Sequence, residues 1–181
     1  MENELQKLLG KQFLIAGYIE PRLQILNFIM DGYNDNVPVL MNNRFLHFTA
    51  HNYYRSVIVD LAALYTDKKT THKNNFYRLT NDDVIISFLK PDTITEIKGW
   101  LSQVKNEVKV ITTLRDKEIA HFDFDKKESI SLNFDNRDII NNLFDLSKKI
   151  INNIGKHLSI GYDFERESQY IRSLKRLIKM D

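Results

Sequence analysis

The sequence predicts an all-α protein, an up-and-down bundle of about four long helices with shorter ones at its edges. Only 6 Gly and 3 Pro punctuate 181 residues, too few tight turns for a β-sandwich or barrel. Apolar residues recur at spacings of three and four over long stretches, the period of an amphipathic helix. With 43% apolar residues the chain can bury a sizeable core. No internal repeat, low-complexity tract or linker divides it, so residues 1–181 read as one domain.

Leu5, Leu8, Leu9, Phe13 and Ile15 set a first helical stripe that breaks near Gly17, and Pro21 is placed to begin a second helix with Leu23, Ile25, Leu26, Phe28 and Ile29 inward. The stretch from Gly32 to Pro38 ends it as a loop. From Asn43 to Tyr65 there is no Gly or Pro, and Phe45, Phe48, Tyr53, Val57, Leu61 and Leu64 keep the helical period. Leu46, Ile58 and Val59 fill other faces, which marks a central helix. Residues 66–83 read as a basic loop with a turn of helix, and Val84 to Leu89 as a short apolar segment. Asp92 or Thr93 then caps a long helix to about Ala120, with Glu96 at capping-box spacing from Thr93. Its stripe is Ile94, Ile97, Trp100, Leu101, Val104, Val108, Ile111 and Leu114, and Trp100 is assigned to packing. Residues 129–134 alternate like an extended arm. Asn136 caps the next helix, periodic from Ile139 through Leu158. A basic amphipathic helix at about 163–180 closes the chain, with Tyr170, Ile171, Leu174, Leu177 and Ile178 on one side and Arg172, Lys175, Arg176 and Lys179 on the other.

The formal net charge is only +2, so any surface for nucleic acid is local. The chain has no cysteine, which excludes disulfide scaffolds, thiolate zinc sites, iron–sulfur clusters and cysteine nucleophiles. No apolar run is long enough to span a membrane and the first residues do not form a secretion signal, so a cytoplasmic location is expected. Nucleophile elbows, phosphate-binding glycine loops, dinucleotide fingerprints and EF-hand loops are absent.

What remains is LRDKEIAHFD, residues 114–123, with Arg115 and His121 separated by five residues. The pair suits RNA cleavage without metal or cofactor. His121 would take the proton from a ribose 2′-hydroxyl or protonate the leaving 5′-oxygen, while Arg115 binds the scissile phosphate and stabilises the transition state. The product is a 2′,3′-cyclic phosphate. Spacing alone is weak evidence: nine arginines and five histidines give about 0.7 such pairs by chance. A second pair, Arg44 and His51, also occurs. On a straight helix Arg115 and His121 stand about 120° apart, so they converge only if the helix kinks or ends between them, or if a second subunit completes the site.

The RDKEIAHFD run resembles the Arg-x(4 to 6)-His signature of the HEPN superfamily, in particular its abortive-infection branch. HNYYRSVIVDLAALYTDK, residues 51–68, resembles that branch's earlier central helix, and the likeness covers roughly residues 40–155. It implies a helical bundle, usually a homodimer, whose Arg and His pairs face each other across the interface to form a metal-independent ribonuclease. It carries over to Arg115 and His121, with Asp116 in the polar position after the arginine. A defence or toxin–antitoxin role is implied, with RNA as substrate and an antitoxin or regulatory protein as partner. Where some members carry a modifiable tyrosine two residues after the histidine, this chain has Asp123.

Other residues carry sharper and plainer readings side by side. Lys68, Lys69, Lys73 and Arg78 interleave with Phe76 and Tyr77, a mixture that grips a phosphate backbone and stacks a base, or a solvated loop. His47 and His51 stand one helical turn apart, as metal ligands do, but no third ligand is evident and no metal is expected. Asp60, in an apolar run, is a structural ion-pair partner or a charge with a role on a seam. The basic tail helix packs on the bundle or on a second subunit, or binds RNA or anionic lipid. Against the ribonuclease stand a non-catalytic helical module of the same fold, binding RNA, a nucleotide or a protein, and a purely structural subunit. In both, Arg115 pairs with a nearby carboxylate such as Asp116.

Overall fold

A computed structural model describes residues 4–35, 37–66, 73–116, 136–164 and 169–178. Its elements are α1 (Glu4–Asn34), α2 (Pro38–Asn42), α3 (Arg44–Tyr65), α4 (Arg78–Asn81), α5 (Asp83–Ile86), α6 (Pro91–Gln103), α7 (Lys105–Leu114), α8 (Arg137–His157) and α9 (Gln169–Ile178). Every regular element among the described residues is a helix, as the turn-poor, period-3.6 sequence predicts.

α1 packs along α3 and α8 and receives α9. α7 lies on α3 and α8, and α6 on α4 and α8. The buried apolar residues form one cluster, with Leu9, Ile19 and Leu26 from α1, Ile58 and Leu61 from α3, and Ile150 and Ile154 from α8 at its centre. Tyr65 ties two of these helices together: its hydroxyl donates to the Leu143 carbonyl at 2.7 Å, and Ser147 Oγ lies 3.1 Å away. Burial holds the Tyr65 phenol well above the usual range, so it stays a donor.

Several sequence expectations are corrected here, among them the loop from Gly32, since α1 continues to Asn34. The expected break near Gly17 is absent: α1 runs unbroken for 31 residues with Pro21 inside it. A proline there forfeits one backbone hydrogen bond and crowds the carbonyl four residues back, at a cost of about 3 kcal/mol. That carbonyl belongs to Gly17, and Ile19, Leu23, Leu26 and Ile29 are buried on either side of the proline. Burial worth about 1.5–3 kcal/mol per large side chain outweighs the loss.

The expected single helix from Asp92 is divided at Val104, whose φ and ψ of −99° and 16° are not helical. The bend lets α6 follow α4 and α8 while α7 turns onto α3. α6 also starts with Pro91 at its first position and Lys90 as N-cap, without a Thr93 cap, because proline's fixed φ and missing N–H suit that position. Asn43 caps α3 through its side chain, accepting from the Phe45 and Leu46 amides at 3.0 and 3.2 Å. Asn136 is the N-cap of α8 but makes no side-chain cap bond. The expected helix end near Ala120 and the arm at 129–134 lie outside the described residues.

A further correction concerns α3. Phe45 and Phe48, expected inward, are 71% and 67% exposed. The core face is instead Leu46, Ala50, Tyr54, Val57, Ile58 and Leu61.

After α8 the chain reverses through Ser159, at a φ of 58°, and returns over Gly155. A Cβ at Gly155 would stand 2.7 Å from the Ile160 carbonyl oxygen and 2.9 Å from the Tyr162 ring. The returning segment then packs Tyr162, tilted, and Phe164, edge-on, against Phe13 of α1, with ring centroids 4.3 and 5.2 Å away. Gly155→Ala is expected to cost about 1–3 kcal/mol, since a backbone oxygen must move. At Gly99 a Cβ would meet nothing within 4 Å, and Gly99→Ala is expected to gain about 0.5–1 kcal/mol. Calorimetric melts of the two variants should shift in opposite directions.

No helix among the described residues is long and apolar enough to cross a membrane.

Candidate functional site

Regular helix ends at Leu114, and Arg115 and Asp116 continue α7 as a π turn. π turns widen a helix and re-aim the side chains on it. Among the described residues, Asp116 and Thr66 hold the Arg115 guanidinium. Nε and Nη2 lie 2.8 and 2.7 Å from Asp116 Oδ1, and Nη1 donates to the Thr66 hydroxyl at 3.4 Å. The Arg115 side chain is 18% exposed and the Asp116 side chain 57%. Arg115 is therefore a fixed, mostly covered cation whose carboxylate partner faces solvent. Thr66 in turn donates to the Ala62 carbonyl at 2.6 Å and is the C-cap of α3. The end of α3 thus orients the arginine at the end of α7, so two helix ends converge on one charged group.

His121, Asp123, Lys68 and Lys69 lie outside the described residues. Thr66 was not singled out from sequence; its contact with Arg115 spans 49 positions and has no local signal.

In the basic loop, Lys73 is exposed, whereas Arg78 is engaged inside the protein. Its Nε and Nη2 reach Asp82 Oδ2 at 3.0 and 2.6 Å, and Nη1 donates to the Lys73 carbonyl at 2.8 Å. Asp82 also caps α5, and the Arg78 hydrogen bond holds its carboxyl below the usual range. Tyr77 is half-buried against the core. Phe76, read from sequence as a stacking ring, is fully buried edge-on against Tyr65 at 5.2 Å, because the loop folds back on α3 and gives its ring to the core.

Asp60 is held by Arg22 at 2.8 Å, the structural ion pair. Burial raises its pKa and Arg22 opposes the rise. His47 and His51 are half-buried on α3, and no group of three His, Cys, Asp or Glu residues able to hold a metal occurs among the described residues. Both His51 ring nitrogens are covered without a hydrogen-bond partner among the described residues. Burial and the neighbouring Arg55 lower its pKa, which favours the neutral ring. Trp100 packs under Lys149, whose Nζ is 4.1 Å from the ring centroid. In the tail helix Ile171 is buried while Arg172, Lys175 and Arg176 are exposed, and α9 lies on α1. The side chains of Tyr170, Leu177 and Ile178 lie outside the described set.

A cleft of about 240 Å³ opens between α1 and α8, lined by Glu20, Gln24, Asn27, Asn141, Phe144 and Lys148 among others. Burial pushes the Glu20 carboxyl up to about 7, against the pull of Lys148 and with a further push from Asp163. A carboxyl raised on folding favours the folded state most below its unfolded pKa, near 4.3, and loses that advantage as pH rises through about 7. Glu20→Gln should match wild type at pH 4 and exceed it at pH 8 by about 1 kcal/mol, a value discounted for solvent around a partly exposed group. Urea denaturation at the two pH values checks this.

No family model, curated protein or solved structure matches this chain.

Proposed function

We propose that the protein is a HEPN-type, metal-independent endoribonuclease of a prokaryotic defence or toxin–antitoxin system, acting as a homodimer in the cytoplasm. The observation that supports this best is the anchored Arg115, set on a π turn where regular helix ends and braced by Asp116 and Thr66. A guanidinium held in place before substrate arrives stabilises developing phosphate charge without reorganising, which is the property this chemistry needs. His121, six positions on, supplies the proton transfers, because an imidazole titrates near neutral pH.

Attack by the 2′-oxygen on phosphorus forms the cyclic phosphate as the bond to the 5′-oxygen breaks. The proton removed from the 2′-hydroxyl is balanced by one delivered to the leaving oxygen. In a dimeric site the two His121 side chains share these transfers. Asp116 tunes and orients Arg115 and does not touch the scissile bond. An antitoxin or regulatory protein would act by covering this site.

The ion pair between Arg115 and Asp116 also favours a second reading, a helical module of the same fold that binds RNA, a nucleotide or a protein without cleaving. The two separate on one experiment. Labelled RNA incubated in EDTA with wild-type protein should yield fragments ending in 2′,3′-cyclic phosphate. Intact RNA across several substrates, with well-folded protein that binds them, would establish the module.

A further inference from the structure

The helix that delivers Arg115 carries a one-sided outer surface. Along α7, Lys105, Asn106, Lys109 and Thr113 are all exposed and fall within about 100° of arc around the helix axis. The opposite side, with Ile111, is buried where α7 lies on α3 and α8. Lys105 and Lys109 stand about 6 Å apart along the axis, and Lys109 lies about 9 Å before Arg115. Neither ammonium is held by an ion pair among the described residues. α7 has one acid, Glu107, which is half-buried and points about 160° away from Lys109. The next acid along the chain, Asp116, is paired with Arg115 at 2.7 Å.

We propose that this face of α7 is a track for the RNA strand flanking the cleaved bond, with Lys109 and Lys105 binding phosphates outward from the one held by Arg115. The place where the strand ends rests on the ribonuclease reading; the chemistry of the ligand rests on the face itself. Two cations leading to a guanidinium, beside uncharged hydrogen-bonding side chains and with no carboxylate on the arc, match a backbone of repeating anions. An ammonium on a flexible stem reads charge and not base identity, so the grip is independent of sequence. An acidic peptide would meet the same lysines but fits less well, because α7 exposes no large apolar side chain to form the core of a protein interface. Contacts this far from the reacting phosphate hold the ground state and the transition state alike, so they act on KM and not on kcat.

The test uses the full chain and a fluorescent, uncleavable 2′-O-methyl single strand, with anisotropy read in EDTA over a range of salt. Lys105→Gln combined with Lys109→Gln should flatten the log–log salt dependence by about 1.4, two phosphate contacts at about 0.7 each. The loss of affinity should then be about 7-fold larger at 50 mM salt than at 200 mM. With ordinary RNA the double variant should raise KM and leave kcat unchanged. Lys90→Gln is the control: it removes an exposed charge about 20 Å from the bend at Val104 and should leave the slope as it is. Melting temperatures should stay near wild type, since these side chains are exposed. An unchanged slope in the double variant, an equal fall in Lys90→Gln, a fall in kcat at constant KM, or no binding by wild type overturns the proposal. So does RNA affinity kept while affinity for poly-glutamate is lost, which would make the face a protein site. Cleavage is scored separately. If wild type cleaves and the double variant keeps the wild-type slope and KM, the track fails and the nuclease stands; if the double variant flattens the slope but wild type cuts nothing, the track stands as an RNA surface and the nuclease falls.

Discussion

His121→Ala is expected to lower metal-free RNA cleavage by about 10²–10⁴, the usual contribution of one positioned acid–base group. Arg115→Ala should lower it by about 10²–10³, as loss of a charge stabiliser at a transition state does. Binding of an uncleavable strand should change far less in either variant, because both groups act on the reacting phosphate. Asp116→Asn should have a smaller effect than Arg115→Ala: the carboxylate braces the guanidinium from its solvent side, and Thr66 still holds Nη1. His51→Ala is the control. His51 completes the chance pair with Arg44, but both its ring nitrogens are covered, which removes it from proton transfer with a substrate. Cleavage kept in His121→Ala would end the mechanism, and cleavage lost in His51→Ala would move the site to α3.

How much of this was legible in the sequence varies with the range of the force that decides each feature. Helix class and the long elements follow from local period, and the cap of α3 from Asn43 alone. The continuity of α1 through Pro21 does not, because the local rule forbids it and only burial on both sides permits it. The division at Val104 is hidden for a related reason. The apolar stripe from Ile94 to Leu114 is continuous in sequence, but its first half packs on α4 and α8 and its second on α3 and α8. Phe45 and Phe48 share the period of the core face closely enough to be counted with it, and only their exposure separates them. At the candidate site Arg115 and Asp116 are visible as a local motif. Thr66 is invisible, because nothing near position 66 states that a second helix end will arrive there.

Phe76→Ala is expected to destabilise the protein by about 3–5 kcal/mol, the usual cost of removing a fully buried aromatic ring from a core that cannot close around the gap. For a chain of this size each kcal/mol lowers the melting temperature by about 2–4 °C, so a fall of roughly 6–20 °C should appear by calorimetry. The ring is fixed from several sides: edge-on to Tyr65, its own amide donating to the Leu64 carbonyl at 2.8 Å, and the preceding Asn75 carbonyl accepting from Gln12 Nε2 at 3.2 Å. Were Phe76 a base-stacking residue, the same substitution would weaken RNA binding and leave the melt unchanged. The opposite pattern is expected, with Phe76→Ala costing stability and leaving RNA affinity of the folded protein near wild type. Phe76 also bears on the candidate site through Tyr65, which is adjacent to Thr66. Loosening the end of α3 releases the hydroxyl that orients Arg115, so cleavage by the still-folded variant should fall before the protein melts.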